Sequence, residues 1–170
     1  MTYAKQLEMG IIPKGTKLTP RPKEMPAWDA QTPEAKKVYA RLMENYAAFM
    51  AHTDNEVGRM LDALQASGEL DNTLIYCILG DNGASAEGGL EGTFSEVASL
   101  LGIQLGLESS IKRIDEIGGP TSEPHVPVAW AWAMNAPFQW TKQIASHYGG
   151  TRNPLIVHWP KGIKAKGELR

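Results

Sequence analysis

The sequence predicts an α/β fold, in which a partial parallel or mixed sheet is flanked by helices. Two apolar runs, residues 73–79 and 154–158, are bounded by turn residues, as is typical of strands buried on both faces of a parallel sheet. A long stretch with apolar residues at helical spacing precedes the first run. Helix, tight turn and strand form half of a βαβ unit, so we expect a further strand before the helix. Residues 1–31 contain no convincing one.

Composition narrows the classes of function. The chain has 170 residues, enough for one domain or a piece of a larger one, and its net charge is -2. That charge gives no reason to expect nucleic acid or an anionic membrane as partner, and no apolar run reaches the roughly 20 residues of a membrane helix. The single cysteine, Cys77, excludes an internal disulfide and is expected to be a small buried hydrophobe. The sequence is silent on compartment and oligomeric state.

The first two segments have opposite character. Residues 1–31 carry four prolines interleaved with basic residues, which predicts an extended connector rather than a helix. A helix is then expected to begin at Thr32, with Pro33 at its first position, and to end at Gly68 as the C-terminal cap. Its apolar stripe predicts a core face; the stripe consists of Val38, Leu42, Tyr46, Phe49, Met50, Val57, Met60, Leu61 and Leu64.

The turn after the first predicted strand is the candidate metal site. It reads Gly80-Asp81-Asn82-Gly83, so a carboxylate and an amide lie side by side on a sharply turned backbone. Ligands gather at the carboxyl ends of parallel strands, and hard divalent cations take oxygen ligands of this kind. A plain turn is the alternative, because Asp, Asn and Gly are common turn residues.

The remaining sequence predicts loops and helices that wall a pocket. The glycine-rich loop 83–93 is suited to close approach by a ligand but lacks the glycine spacing of a nucleotide cradle. Two modest helices are expected over 94–103 and 107–117, and 125–134 is either a strand or a loop. Further on, Lys142, His147 and Arg152 gather around the Gly149-Gly150 turn, before the second predicted strand.

Three segments in this order and spacing resemble the sulfatase family of the alkaline-phosphatase superfamily, particularly bacterial arylsulfatases. They are residues 46–64, residues 70–83 with Gly-Asp-Asn-Gly, and residues 149–160 with Gly-Gly-Thr-Arg-Asn-Pro. The resemblance implies that the chain is part of a sulfatase catalytic domain. It divides the chain into the connector 1–31, a helix–strand unit with the metal-ligand turn at 32–83, pocket loops and helices at 84–153, and a strand with a truncated tail at 154–170.

The resemblance also implies the chemistry. The family hydrolyses small-molecule sulfate esters with a formylglycine nucleophile, made from the cysteine of a Cys-x-Pro-Ser-Arg motif, and a divalent cation, usually calcium. Asp81 and Asn82 match the later pair of metal ligands. Lys142 matches a family lysine that contacts the sulfate, and His147 shares its place in the pocket. Tyr148 stands where a glutamate is usual in the family. Arg152 is expected to brace the turn.

Two features of the family are absent from the sequence. No Cys-x-Pro-Ser-Arg motif occurs, since Cys77 is followed by Ile-Leu-Gly, and the early Asp-Asp pair is missing. We therefore expect an internal fragment that, by itself, neither binds calcium tightly nor turns over a sulfate ester. Two alternatives stay open: a phosphoesterase or phosphonate hydrolase of the same superfamily, and a noncatalytic α/β binding remnant.

Overall fold

The computed structural model describes residues 2–169, and its helices and strands confirm the predicted α/β class. The helices are α1 (Thr2–Glu8), α2 (Pro33–Ala66), α3 (Glu96–Leu100), α4 (Gly106–Lys112), α5 (Val128–Asn135) and α6 (Tyr148–Thr151). The strands are β1 (Ile75–Ile78) and β2 (Leu155–His158). Short 3-10 turns occur at Trp28–Ala30, Leu70–Asn72 and Ile114–Glu116.

Helix α2 begins and ends as its sequence predicts. The Oγ1 atom of Thr32 accepts a hydrogen bond from the backbone N–H of Ala35 at 3.1 Å, which satisfies one of the free donors of the first turn. Gly68 follows the helix with a φ of 77°, a conformation that glycine adopts without steric cost. The 34 residues between these ends make α2 the longest described element.

The first third of α2 forms the core together with the segments that follow β1. The buried cluster consists of Ala35, Val38, Tyr39, Leu42, Phe94, Ile117 and Val126. Two hydrogen bonds to main-chain carbonyls tie it together: Trp130 Nε1 donates to Tyr39 at 3.0 Å, and Arg41 donates to Ile117 at 3.0 Å. The core therefore lies between α2 and the 93–130 region.

Most of the predicted core stripe beyond Leu42 is exposed, while Leu61 and Leu64 are half-buried. Phe49 is 67% exposed and Met60 is 69% exposed, whereas Leu42 is 1% exposed. The reason is geometric: the described segments that cover α2 pack against its first turns, so the stripe beyond Leu42 has little to pack against. The periodic pattern correctly predicted the helix but overestimated its buried length.

The two strands form an antiparallel pair rather than neighbours in a parallel sheet. Ile75 pairs with His158 and Ile78 with Leu155. The expectation that β1 is buried on both faces is wrong for the described residues, because Ile78 is 69% exposed and every residue of β2 is exposed. No strand precedes α2 between residues 2 and 32, so the expected βαβ unit is not formed there.

Two local expectations were also wrong. The connector is helical at Thr2–Glu8, because its prolines begin only at Pro13 and the earlier residues include good helix formers. The 125–134 stretch, expected to be a strand or a loop, contains helix α5 from Val128. Its alternation of alanine with large apolar residues suits a packed helix as well as a strand, and alanine favours the helix.

Between residues 2 and 169, no helix combines the length and apolarity needed to cross a membrane.

We predict that Leu42→Ala lowers the free energy of unfolding by about 2–5 kcal/mol, the usual range for emptying a packed leucine site. Met60→Ala, on the exposed part of the same helix, is the matched control and changes it by less than about 0.5 kcal/mol. Urea denaturation followed by circular dichroism measures both. Similar losses in the two variants would show that α2 is buried along its whole length.

Candidate functional site

Asp81 and Asn82 lie just beyond the end of β1, as predicted. The Leu79 N–H donates to the carbonyl of Pro154 at 3.4 Å, which continues the strand pairing, and Gly80 then turns the chain with a φ of 86°. Both side chains are exposed, and the Asn82 amide donates to the Asp81 carboxylate. The carboxylate and the amide carbonyl are thus held side by side at the surface.

The loop that carries this pair is fixed by a close backbone contact with the Gly149-Gly150 turn. The Gly83 N–H donates to the carbonyl oxygen of Gly150 at 3.0 Å, and a Cβ atom at Gly83 would lie 1.6 Å from the carbonyl oxygen of Gly149. A Cβ at Gly149 would lie 2.0 Å from the carbonyl oxygen of Trp140. These glycines permit backbone packing, where the sequence analysis expected glycine to admit a ligand.

Asn135, at the end of α5, links the same loop to the segment before Lys142. Its Oδ1 atom accepts from the Ala84 N–H at 3.0 Å, and its Nδ2 donates to the carbonyl of Trp140 at 3.0 Å. Asn135 could not be predicted as a site residue, because the pattern of 125–134 did not indicate a helix ending there. Its two contacts join the loop at Ala84 to the end of α5 and to the segment that follows this helix.

Lys142 lies against the Asp81–Asn82 loop through its main chain, but its ammonium group contacts an acid. The Lys142 N–H donates to the carbonyl of Ala84 at 3.0 Å, while Nζ lies 3.0 Å and 3.2 Å from the two carboxylate oxygens of Glu87. The neighbours Trp140 and Gln143 have φ values of 68° and 76°, which non-glycine residues rarely adopt. Tertiary contacts therefore hold this segment in an unfavourable backbone conformation.

Glu87 is a hydrogen-bonded acceptor that the sequence analysis also missed. Ser85 donates to it at 2.7 Å and Gln143 at 3.1 Å, in addition to the two contacts from Lys142. The pKa of the Glu87 carboxyl lies below its ordinary value, chiefly because Ser85 and then Lys142 hydrogen-bond to it. The contacts therefore stabilise the fold above the ordinary carboxyl pKa, and they are lost as the pH falls through the lowered pKa.

His147 and Arg152 lie on either side of the Gly149-Gly150 turn. His147 Nδ1 is 2.9 Å from the hydroxyl of Ser146, and its ring meets that of Trp140 edge-on with centroids 6.1 Å apart. The Arg152 guanidinium lies 5.3 Å from the Phe138 ring centroid and 5.5 Å from that of Tyr148. The bracing role of Arg152 stays a prediction, and Tyr148 is the residue of the turn that its guanidinium contacts. His147 borders a shallow cavity of about 300 Å³.

A second group of chemically active side chains lies beyond Lys142. One ligand atom each of Glu87, Glu96 and His125 lies within 4.8 Å of the other two, and all three side chains are half-buried. The residues come from three separate segments and none belongs to a recognisable spacing motif. Only the tertiary structure brings them together, so no sequence pattern predicts the group.

Comparison with known proteins decides the family. The sequence model of the family described as Sulfatase matches residues 16–169. That match covers most of the chain. The chain belongs to the sulfatase family.

Two curated relatives support this assignment. An uncharacterised sulfatase of Schizosaccharomyces pombe is 33% identical over 94% of this chain and 27% of its own length. An arylsulfatase of Klebsiella aerogenes is 31% identical over 95% of this chain and 32% of its own length. The chain thus spans about a third or less of the length of these sulfatases.

Asp81 and Asn82 offer oxygen donors of the type that a hard cation takes, but two donors are too few to fill its coordination shell. A carboxylate and an amide carbonyl are oxygen donors of the type that Ca²⁺ takes, and both are exposed on a fixed turn. Ca²⁺ requires about six to eight oxygen ligands. Most of its coordination shell would therefore come from other groups or from water.

We predict that Gly83→Ala lowers the free energy of unfolding by about 3 kcal/mol or more, because its Cβ would overlap the Gly149 carbonyl and neither backbone can move easily. Gly58→Ala in helix α2 is the control, since a Cβ there meets nothing within 4 Å, and it raises stability by up to about 1 kcal/mol. Urea denaturation measures both variants. A Gly83→Ala variant as stable as the unaltered chain would contradict the close contact.

Proposed function

We propose that this chain supplies one half of the sulfate-ester site of an arylsulfatase-type sulfuric ester hydrolase. Asp81 and Asn82 are two oxygen ligands of a divalent cation, Ca²⁺, and Lys142 contacts the sulfate group. His147, which borders the shallow cavity lined also by Phe138 and Tyr148, is a further substrate-binding residue in this proposal. When bound, the cation would neutralise charge on the nonbridging sulfate oxygens.

The observation that carries the proposal is the meeting of three motif segments. The Asp81–Asn82 loop contacts the Gly149-Gly150 turn through the hydrogen bond from Gly83 to Gly150, and the Lys142 main chain donates to Ala84 of the same loop. Residues 70–83 and 149–160 are two of the segments that resemble sulfatases in sequence, and Lys142 matches a lysine of the family. A scaffold without a site would need the packing of these glycines but would not need an acid, an amide and a lysine beside them.

Lys142 has a defined task in this proposal. Its side chain is half-buried and its ammonium group is held by Glu87, so the group occupies a fixed position before substrate arrives. A sulfate bound beside it would replace or share the Glu87 contact. This arrangement lowers the entropic cost of placing the cationic group, which is a general source of binding and catalytic efficiency.

The nucleophile is the part that the chain does not contain. Cys77 lies in β1 and is followed by Ile-Leu-Gly instead of the x-Pro-Ser-Arg of the sulfatase motif.

We predict that the 170-residue chain does not hydrolyse 4-nitrophenyl sulfate and that it binds Ca²⁺ only in the millimolar range or more weakly, since it offers two ligands. Absorbance assays and calorimetry measure these properties. Turnover by the pure chain would contradict this division of the site.

The complete activity is tested by reading the DNA upstream of Met1 in the same frame and expressing the extended protein. A Cys-x-Pro-Ser-Arg motif and an Asp-Asp pair there, with preference for 4-nitrophenyl sulfate over the phosphate, would support the proposal. A serine or threonine nucleophile with preference for the phosphate would instead favour a phosphoesterase or phosphonate hydrolase. A stop codon just before Met1 would favour a noncatalytic binding remnant.

In the active extended protein, Asp81→Ala and Lys142→Ala are each predicted to lower kcat/KM about a hundredfold or more, the usual cost of losing a charge-stabilising group. Asp54→Ala and Lys112→Ala are matched controls on exposed helix surfaces and should retain full activity. Steady-state kinetics at saturating Ca²⁺ give the comparison. Equal losses in all four variants would refute the assigned roles of Asp81 and Lys142.

A further inference from the structure

The Glu87–Glu96–His125 cluster is held on a rigid backbone framework. Thr93 and His125 exchange two main-chain hydrogen bonds of 3.0 Å, and the Glu96 N–H donates to the carbonyl of Glu123 at 2.7 Å. The Val128 N–H donates to the carbonyl of Gly89 at 2.7 Å. The three segments that carry the cluster are therefore tied to one another. Such a framework fixes ligand groups before any ion binds.

The histidine of the cluster has a defined protonation pattern. His125 Nδ1 lies 2.9 Å from the carbonyl oxygen of Val126, and a carbonyl can only accept, so Nδ1 carries the proton of the neutral ring. Nε2 is then left with the lone pair. Metal-binding histidines are usually oriented by such a bond from the other ring nitrogen. Gly88 allows the ring to lie against the loop, since a Cβ there would be 2.8 Å from Nδ1.

The cluster opens onto a cavity at the surface of the glycine-rich loop. Glu87 and Glu96 both line this cavity, whose volume is about 390 Å³. It is distinct from the shallow cavity beside His147. An ion held by the cluster would therefore have an open coordination position facing space that can hold water or a small anionic ligand.

We propose that Glu87, Glu96 and His125 form a second metal site that binds Zn²⁺ and is separate from the oxygen ligands Asp81 and Asn82. One imidazole nitrogen and two carboxylates are a donor set for zinc, whereas calcium and magnesium prefer oxygen alone. Ligand atoms within 4.8 Å of one another can reach bond lengths of about 2.0–2.2 Å by side-chain rotation. Three protein ligands with one open position is the arrangement of catalytic and regulatory zinc sites.

Zinc binding competes with the Lys142 contact. The Glu87 carboxylate already accepts four hydrogen bonds, from Ser85, Gln143 and twice from Lys142, which uses its acceptor capacity. An ion at Glu87 must displace a donor, and the Lys142 ammonium is the one that a second cation repels. Occupancy of the zinc site therefore releases Lys142 from Glu87.

The test is calorimetric titration of the 170-residue chain with Zn²⁺ at neutral pH. We expect one site, weakened about tenfold or more by Glu96→Gln and by His125→Gln. Glu108→Gln and His52→Gln are matched controls on the exposed surfaces of α4 and α2, and they should bind as the unaltered chain does. Asp81→Ala should also leave zinc binding unchanged. Retained affinity in both cluster variants, or equal loss in the controls, would overturn the proposal.

The competition with Lys142 predicts one variant that binds Zn²⁺ more tightly, whereas the cluster variants bind it more weakly. Lys142→Met removes the competing cation, so it should tighten Zn²⁺ binding several-fold; unchanged or weaker binding would overturn the competition. Circular dichroism establishes whether each variant is folded. If His125→Gln does not fold, anomalous diffraction at the zinc absorption edge from crystals of the unaltered chain grown with Zn²⁺ locates the ion instead. A peak between Glu87, Glu96 and His125 supports the site, and a peak elsewhere or none overturns it.

Discussion

The contact between the loop at Gly83 and the Gly149-Gly150 turn is the constraint on which the candidate site depends. It brings the end of β1 to the segment just before β2, and no side chain could occupy the space between the two backbones. Because the contact is made by the main chain, its geometry is not weakened by side-chain rotation. The exposed pair Asp81 and Asn82 and the main chain of Lys142 take their relative positions from it.

The described residues divide into a well-packed part and an open part. The core around Leu42 and Phe94 is closed by α2 and the 93–130 region, and it supports the framework of the Glu87–Glu96–His125 cluster. The antiparallel pair β1–β2 and the second half of α2 leave large apolar side chains exposed. The candidate metal turn lies between these two parts. The loop that follows it leads into the core, whereas β1, which precedes it, is held mainly by its pairing with β2.

Local signals in the sequence were reliable and long-range ones were not. The cap at Thr32 and the glycine after α2 follow from backbone chemistry that acts within four residues, so α2 was predicted with its ends. Burial of β1 could not be predicted, because an apolar run indicates a preference for burial and cannot say what covers the strand. The site followed the same rule. Asp81, Asn82 and Lys142 were predicted from the resemblance to sulfatases and their roles stay a prediction, whereas the partners Glu87 and Asn135 depend on contacts between residues about 50 positions apart.

Amide hydrogen exchange at Gly83, followed by NMR, tests most directly whether this contact organises the site. The Gly83 N–H is buried and donates to the Gly150 carbonyl, so the account predicts exchange slower than in an unfolded chain by at least about a hundredfold. Exchange at the unfolded rate would mean that the loop and the turn are not joined in solution. In that case the arrangement proposed for Asp81, Asn82 and Lys142 would lose its support.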